Sequence, residues 1–458
     1  MPKRARRASE RKRSKTMQLP PQDINHFERM PDELVLKIFE ALGKIGPLST
    51  PELDDIVTRM PFFTAEPHPG LRAYPFLSQV CRRWKQVLTN PATSNILWRE
   101  VIIDFGHELI TAVHTPIAWS DRRPSDEEFR ESFSHTRLSA ARMVHFVEER
   151  QNSIRRLVLM NSEGYWSDEG DFVNLQQKHN FSMAHFGMML GMLRTTLSEL
   201  QIQHCNDFFS MGQGALSAIS CLPRLRVLRI EDLHCRVDKA ALAELARLTQ
   251  LEELSLTGEE HVNAWAVGVE AIPEEWRALR CLRTLQLRGH TMLLSLPQWL
   301  AELPITNLDV SFCRVSNVSV VSEMTSLTVL SLQGMDLTNS DTEVQVRYRH
   351  LPSLERLTQL TALNLADNAF GRVPSCLHKL KAISYLDLSL NNDLQVPTPL
   401  TSLLSMPNLR VVDLRGVHET SNIGFWPEAK CVTMSNITAL TKALKRRPYP
   451  TKVLVDVD

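Results

Sequence analysis

The sequence predicts an α+β protein in which a small helical module precedes a long α/β solenoid with a parallel inner sheet. Two observations indicate this fold class. An apolar hexad recurs ten times between residues 154 and 414, and two short amphipathic patterns lie near residues 30 and 80. A chain of 458 residues has room for about three domains of ~150 residues each, or for fewer if it contains a repeat array.

Each hexad has apolar residues at its first, fourth and sixth positions. The ten hexads begin at Ile154, Leu197, Leu225, Leu251, Leu282, Ile305, Leu327, Leu360, Ile383 and Leu409. Positions four and six point to the same side of a short strand and enter a core, whereas positions three and five point away from it. The pattern resembles the leucine-rich repeat, whose period is about 20 to 29 residues. This resemblance implies a horseshoe-shaped solenoid over residues 154–458, in which neighbouring turns share one core.

Polar residues and helical patterns complete the predicted repeats. Cys313, Asn368 and Asn391 follow their strands closely, where they can hydrogen-bond the backbone of the turn. Residues 181–190 form a Met-rich helical pattern, which is either core or an adaptable binding surface. We expect a helix over 437–447, together with the apolar residues 453–455, to cap the array at its C-terminal end.

The two amphipathic patterns near the N-terminus repeat apolar residues every four positions and so each form a helical face. The faces consist of Leu34, Ile38 and Leu42, and of Phe76, Val80, Trp84 and Leu88. Pro31 suits the start of the first helix, because the N–H that it lacks has no partner there. The stretch resembles the F-box through Pro31-Asp32-Glu33-Leu34, Ile38, Leu42, Val80-Cys81-Arg82-Arg83-Trp84 and Leu97-Trp98. The resemblance implies that Pro31, Leu34, Ile38, Leu42, Val80 and Trp84 bind a Skp-type adaptor, which connects to a cullin and a RING subunit.

This stretch departs from the F-box pattern in two ways. Met30 stands where the family favours Leu, and 33 residues separate Leu42 from Phe76. We interpret residues 44–72 as a helix-bearing insertion within a module that spans 27–104. The alternative is that two unrelated helices are being joined. Residues 105–153 are predicted to form a linker followed by a helix that caps the first repeat.

Composition narrows the classes of function and location. Lys plus Arg and Asp plus Glu each number 52, so the whole chain has no excess charge for binding nucleic acid. Eight cysteines without CxxC spacing indicate reduced core residues, with a metal site or disulfides as the alternative. We find no apolar run that could span a membrane. Residues 1–26 form a basic tail, expected to be disordered, which is either a nuclear localisation signal or a solvated tail. We therefore expect a cytoplasmic or nuclear protein.

Positions three and five of the hexads face the concave side of the predicted solenoid. Basic residues occupy these positions early in the array, while Asp309, Asp387 and Asp413 occupy them late. The face is therefore either bipolar, with an acidic end that suits a basic client, or it simply follows repeat consensus. Tyr385 is the concave aromatic residue and the best candidate anchor. These four residues are the candidate client-binding residues.

The sequence contains no phosphate loop, no zinc-spaced Cys/His set and no nucleophile elbow, so we expect no catalysis, no cofactor and no metal. The resemblance to F-box and leucine-rich-repeat proteins implies a substrate-recognition subunit of an SCF-type ubiquitin ligase. Its adaptor would bind the helical module and its protein client would bind the repeats, and the chain would be monomeric outside the complex. The alternative is a leucine-rich-repeat scaffold or regulator with no ligase role. The identity of the client and any dependence on phosphorylation do not follow from the sequence.

Overall fold

A sheet of 13 strands runs through the repeat region of the computed structural model. The structure describes residues 98–105, 109–110, 139–160, 165–166, 172–173, 181–203, 214–233, 236–258, 268–338, 349–371, 373–391, 394, 401–417 and 434–455. The predicted basic tail, residues 27–97 of the predicted helical module, its insertion and most of the predicted linker lie outside these ranges.

Nineteen strands are present in the described ranges. They are β1 (Glu100–Asp104), β2 (Leu109–Ile110), β3 (Arg156–Met160), β4 (Tyr165–Trp166), β5 (Phe172–Val173), β6 (Glu199–Gln203), β7 (Val227–Leu233), β8 (Arg236–Val237), β9 (Glu253–Gly258), β10 (Gly268–Val269), β11 (Thr284–Gln286), β12 (Asn307–Asp309), β13 (Val329–Ser331), β14 (Leu337–Thr338), β15 (Arg349–His350), β16 (Ala362–Asn364), β17 (Tyr385–Asp387), β18 (Val411–Asp413) and β19 (Lys452–Leu454). The large sheet has the order β19-β18-β17-β16-β13-β12-β11-β9-β7-β6-β3-β1-β2. All its pairings are parallel except that of β1 with β2.

Each of the ten predicted hexads forms one strand of this sheet, which confirms the repeat array. The registers align position four of every hexad with position four of its neighbours, as in the pairing of Leu308 with Leu330 and of Leu330 with Leu363. These three leucines are at most 1% exposed. Burial of each leucine side chain contributes about 1.5–3 kcal/mol, and one continuous core runs from Trp98 to Leu444.

The sheet begins earlier than residue 154, where we predicted the array to start. Strand β1 pairs in parallel with β3 along its whole length, and Val101, Ile103 and Phe105 are fully buried in the repeat core. Trp98 is also buried, with its ring 5.4 Å from the ring of Phe146. The last residues of the predicted helical module therefore form the first turn of the solenoid.

Helices and short 3₁₀ turns return the chain from one strand to the next. The α-helices are α1 (Ala140–Arg150), α2 (Met183–Leu193), α3 (Gly214–Ser220), α4 (Lys239–Glu244), α5 (Thr401–Leu404) and α6 (Met434–Lys445), and the 3₁₀ helices are Leu245–Arg247, Glu274–Ala278, Gln298–Glu302, Ser319–Glu323 and Ser375–Lys379. Proline precedes three of the 3₁₀ helices, at Pro273, Pro297 and Pro374, because a helix start needs no N–H at that point.

Helices are present at both predicted positions, although α1 follows β1 and so is the return helix of the first turn. At the N-terminal end, α1 buries Ala140, Met143 and Val147, and Ser139 caps it by accepting a hydrogen bond from the Arg142 N–H. At the C-terminal end, α6 buries Leu444 and β19 adds a last parallel strand to β18. The Met-rich segment forms α2, whose Phe186, Met189, Leu190 and Leu193 are buried. Most of α2 is therefore core, although Met188 is 52% exposed.

The predicted hydrogen bonds of Cys313, Asn368 and Asn391 are confirmed. All three lie three residues after a hexad, and each donates to the carbonyl that ends the preceding hexad. Cys313 Sγ reaches Leu287 O at 2.8 Å, Asn368 Nδ2 reaches Leu332 O at 2.9 Å, and Asn391 Nδ2 reaches Leu365 O at 3.0 Å. We call this column of side chains the amide ladder. It satisfies buried backbone groups between neighbouring turns.

A second column lies at hexad position two, at the edge where the strands begin. Here hydroxyl side chains donate to the position-two carbonyl of the preceding turn. The bonds run from Ser198 to Arg155 O, Thr306 to Arg283 O, Thr328 to Thr306 O, Thr361 to Thr328 O and Ser384 to Thr361 O, with lengths of 3.0–3.2 Å. This edge therefore combines backbone and side-chain links between successive turns.

Candidate protein-binding surface

The candidate adaptor-binding residues lie outside the described part of the chain. They are Pro31, Leu34, Ile38, Leu42, Val80 and Trp84. The site that the structure does describe is the sheet face opposite the core, formed by hexad positions three and five. We call it the noncore face.

All four candidate client-binding residues lie on strands of the noncore face. Asp309 ends β12, Tyr385 begins β17, Asp387 ends β17 and Asp413 ends β18. The register pairs Tyr385 with Val411 and Asp387 with Asp413 on the next strand. The structure thus brings Tyr385, Asp387 and Asp413 together, while Asp309 lies three strands away from Asp387 in the sheet order.

The position-five carboxylates turn back onto their own backbone. Asp309 accepts a hydrogen bond from the Ser311 N–H at 2.9 Å, Asp387 from the Ser389 N–H at 2.9 Å, and Asp413 from the Arg415 N–H at 3.1 Å. Each acceptor therefore binds the N–H two residues later, as Asp side chains do in Asx turns. This role explains why Asp recurs at position five, and it matches the interpretation that these residues follow repeat consensus.

Asp309 and Asp413 have little accessible surface, 6% and 0% respectively. Asp413 is bound by the guanidinium of Arg415, with Nη2 at 2.6 Å from Oδ2. Asp387 is half-buried and accepts a further hydrogen bond from the Ser389 hydroxyl at 2.7 Å. Burial, and then the negative charge of Asp413, raise the pKa of Asp387. The acidic end of the noncore face is therefore small, and Asp387 is its accessible carboxylate among these three.

Tyr385 forms part of an apolar stripe along the C-terminal half of the noncore face. It packs with Ala362, and Val329, Val411 and Leu454 flank the pair. The Tyr385 hydroxyl donates to Asp387 Oδ2 at 3.2 Å, and burial raises the pKa of this phenol. At 8% exposure the Tyr385 ring contributes little accessible surface to the stripe. Its half-buried neighbours Val329 and Val411 present the accessible apolar surface.

The N-terminal half of the noncore face is electrically balanced, so the basic end of the proposed bipolar face is absent there. Arg156 lies between Glu100 at 3.6 Å and Glu199 at 3.7 Å. Arg229 forms two hydrogen bonds to Glu253, at 2.6 and 2.9 Å. These arginines are paired with carboxylates on neighbouring strands. The pattern of a single hexad does not show such pairing.

His290 is a further member of the amide ladder that was not among the residues predicted from the sequence. It lies three residues after Leu287, the spacing that also marks Asn368 after Leu365. His290 Nε2 lies 2.8 Å from Leu256 O, and the side chain is fully buried. Burial lowers the pKa of His290 to about 4, so at neutral pH the neutral ring donates from Nε2. The repeat spacing was the signal that could have identified it.

The remaining features of the described residues are potential metal ligands, thiols and apolar helices. No group of three or more His, Cys, Asp and Glu side chains is arranged there to hold a metal ion. Of the described cysteines, Cys221, Cys281, Cys313 and Cys376 are free thiols, and burial raises the pKa of Cys313 to about 12. No helix in this part of the chain is long and apolar enough to cross a membrane.

Comparison with known proteins gives a family match across the array. A family model described as a leucine-rich repeat region matches residues 202–446, more than half of the chain. No curated protein matches the chain.

Three solved structures are similar to the chain at low identity. A leucine-rich-repeat protein of Leptospira interrogans is 15% identical, with a TM-score of 0.36, over 68% of this chain and 86% of that one. An internalin of Listeria monocytogenes is 14% identical, with a TM-score of 0.36, over 64% of this chain and 86% of that one. The TLR13–ssRNA13 complex is 17% identical, with a TM-score of 0.35, over 58% of this chain and 36% of that one.

Proposed function

Since the chain belongs to the leucine-rich-repeat family, we propose that it is a non-catalytic receptor, the substrate-recognition subunit of an SCF-type ubiquitin ligase. In this proposal the repeats bind a protein client and the segment 27–97 binds a Skp-type adaptor. Cullin and RING subunits then supply the ubiquitination chemistry. The receptor itself needs no cofactor or metal.

The observation that carries the proposal is the position of the F-box-like residues directly ahead of a continuous binding sheet. Repeat solenoids present long surfaces suited to protein ligands. Trp98, which ends the F-box-like stretch, is packed against α1, and the Arg150 guanidinium lies 4.7 Å from the centre of its ring. A client bound to the sheet would therefore sit at a fixed distance from residue 98, which suits ubiquitin transfer.

On the repeats, the apolar stripe around Tyr385 is the proposed client-binding surface. It combines accessible apolar side chains, Val329 and Val411, with the half-buried carboxylate of Asp387. Such a mixture of an apolar centre and a polar rim is typical of protein interfaces. Asp309 and Asp413 serve this surface by holding the turns that end β12 and β18.

Adaptor binding is tested by co-expression of the chain with a Skp-type adaptor, followed by pull-down. We expect the wild-type chain to retain the adaptor, and the Leu34→Asp, Val80→Asp double variant to lose at least about tenfold, because each charge would be desolvated in an apolar interface. The control is Val411→Asp, which lies on the noncore face and leaves the predicted helical module unchanged. Equal retention of the wild type and the double variant would exclude the ligase role.

The second candidate is a leucine-rich-repeat scaffold without a ligase role, which needs only the repeat array that the family match covers. It predicts protein partners but no adaptor. Proximity labelling in cells separates the two candidates. If the chain is a ligase receptor, the wild type labels adaptor and cullin subunits together with clients, and the Val411→Asp variant no longer labels the clients. If the chain is a scaffold, the wild type labels partners that the Val411→Asp variant no longer labels, and neither protein labels an adaptor or a cullin.

A further inference from the structure

Arginine side chains line one edge of the repeat sheet over its first six parallel turns. The edge is the one at which the strands begin, at hexad position two and in the segments that lead into it. The exposed arginines are Arg99, Arg194, Arg224, Arg280 and Arg283. We call this set the arginine edge. None of the five has an ion pair within the described part of the chain.

A backbone ladder aligns the position-two residues of these turns. Arg99 and Arg283 belong to it, and Arg194, Arg224 and Arg280 lie two to four residues before it. The Arg155 N–H donates to Arg99 O at 2.8 Å, and further bonds continue from Ser198 to Arg155, Arg226 to Ser198, Glu252 to Arg226 and Arg283 to Glu252, at 2.7–2.8 Å. Because the strands are parallel, all these residues lie at one edge. With strands about 4.8 Å apart, the five steps from Arg99 to Arg283 span about 24 Å.

Nearby carboxylates do not neutralise the arginine edge, because they already have partners. Glu252 is the acidic residue of the position-two column, and it accepts two hydrogen bonds from Arg226, with Nε at 2.9 Å. Glu199 and Glu253 pair with Arg156 and Arg229 on the noncore face. In the next four turns the column continues as Thr306, Thr328, Thr361 and Ser384, which carry no charge, and it becomes basic again at Arg410, whose carbonyl accepts from the Lys452 N–H. Four uncharged position-two residues therefore separate the arginine edge from the basic residues at the end of the array, in a chain whose net charge is zero.

We propose that the arginine edge binds an acidic segment of a protein partner. An extended segment that follows the edge for about 24 Å would present about seven residues, and arginine pairs with carboxylates through two parallel hydrogen bonds. Single-stranded nucleic acid fits less well, because its bases need exposed aromatic side chains for stacking. Among the described residues the exposed aromatic side chain is Tyr449, in the last turn of the array. This inference deepens the repeat-domain half of the proposed function, since it names the chemistry of a protein ligand.

The test measures fluorescence anisotropy of a labelled peptide of about eight alternating Asp and Glu residues on addition of the full chain. A Gln/Asn peptide of equal length and a single-stranded oligonucleotide of equal charge are the comparison probes. We expect the acidic peptide to bind, more weakly as salt rises, and the Gln/Asn peptide not to bind. The triple variant Arg224→Ser, Arg280→Ser, Arg283→Ser should weaken binding about tenfold.

The matched control removes three exposed basic residues at the other end of the array, with Lys442→Ser, Lys445→Ser and Arg446→Ser. It should change the affinity by less than about twofold. The proposal is overturned if the wild type does not bind the acidic peptide, if both triple variants weaken binding equally, or if the oligonucleotide binds more tightly. Should the edge variant fail to fold, single variants at Arg280 and Arg283 replace it, each with a loss of about twofold to threefold. The adaptor pull-down depends on Leu34 and Val80, so either proposal can fail alone.

Discussion

At the scale of single residues, the amide ladder shows how a repeat protein accepts a titratable side chain in its core. His290 occupies the slot that Asn368 and Asn391 fill in later turns, and like them it lies close to the last carbonyl of the preceding hexad. Unlike an amide, its ring has a second nitrogen, and Nδ1 is buried without a hydrogen-bond partner. Protonation would add a donor and a charge in this apolar setting, which is why burial lowers its pKa to about 4.

The first prediction concerns the pH dependence of stability. An unfolded chain protonates His290 near its ordinary pKa of about 6.5, whereas the folded chain resists protonation until about pH 4. This contribution to stability is complete above about pH 6.5 and is lost as the pH falls towards 4, by up to about 3 kcal/mol. His290→Asn should remove this loss. The difference between its unfolding free energy and that of the wild type, measured by urea denaturation, should therefore grow in favour of the variant as the pH falls.

The control for this experiment is Gly187→Ala, which changes a residue of α2 and removes no titratable group. Other groups titrate in both proteins, so the difference between variant and wild type isolates the contribution of His290. We expect the Gly187→Ala curve to run parallel to that of the wild type between about pH 7 and 4. A constant difference between His290→Asn and wild type across this range would show that His290 is not a buried neutral base.

At the scale of elements, all ten hexad strands could be predicted, whereas the return segments could be predicted only in part. Hexads of Leu and Ile at positions one, four and six specify a strand, because only one spacing places positions four and six in a common core. Between strands the chain needs only to turn back and bury a few side chains. A full helix such as α2 and a single 3₁₀ turn such as Gln298–Glu302 both achieve this. Similar apolar content therefore gives different return segments.

Two glycines outside the hexads differ in whether the structure has room for a larger side chain. Gly268 begins β10 with a φ of +100°, and any Cβ there would overlap the ring of His290. Gly187 lies within α2, and a Cβ there would meet no atom within 4 Å. We predict that Gly268→Ala lowers the free energy of unfolding by about 2 kcal/mol or more, through backbone strain and overlap in the core.

The matched substitution Gly187→Ala should be neutral or raise stability by up to about 1 kcal/mol, because alanine loses less backbone entropy in a helix. Thermal unfolding followed by circular dichroism compares both variants with the wild type. If Gly268→Ala melts at the same temperature as Gly187→Ala, then Gly268 does not impose the constraint that we describe.

At the scale of the whole molecule, what sequence reasoning missed was pairing between distant parts of the chain. The array and its C-terminal cap follow from local patterns, and Tyr385 and Asp387 were correctly placed on the sheet face opposite the core. The neutral N-terminal half of that face depends on Glu100 meeting Arg156, which are 56 positions apart. Strand β1 was the missing element, because residues 101–103 read equally well as a strand or as a helix end.

The last prediction follows from the place of β1 and α1 in the solenoid. Strand β1 pairs along β3, and Val101, Ile103, Met143 and Val147 of the two elements are fully buried in the same core as Leu157 and Leu159. Removal of four such side chains costs on the order of 6–12 kcal/mol of apolar burial, which is comparable with the whole stability of a domain. We therefore predict that a chain of residues 98–458 folds, whereas one of residues 154–458 aggregates. Gel filtration and thermal unfolding by circular dichroism decide this, and a monomeric 154–458 chain that melts with the full-length protein would show that the first turn is dispensable.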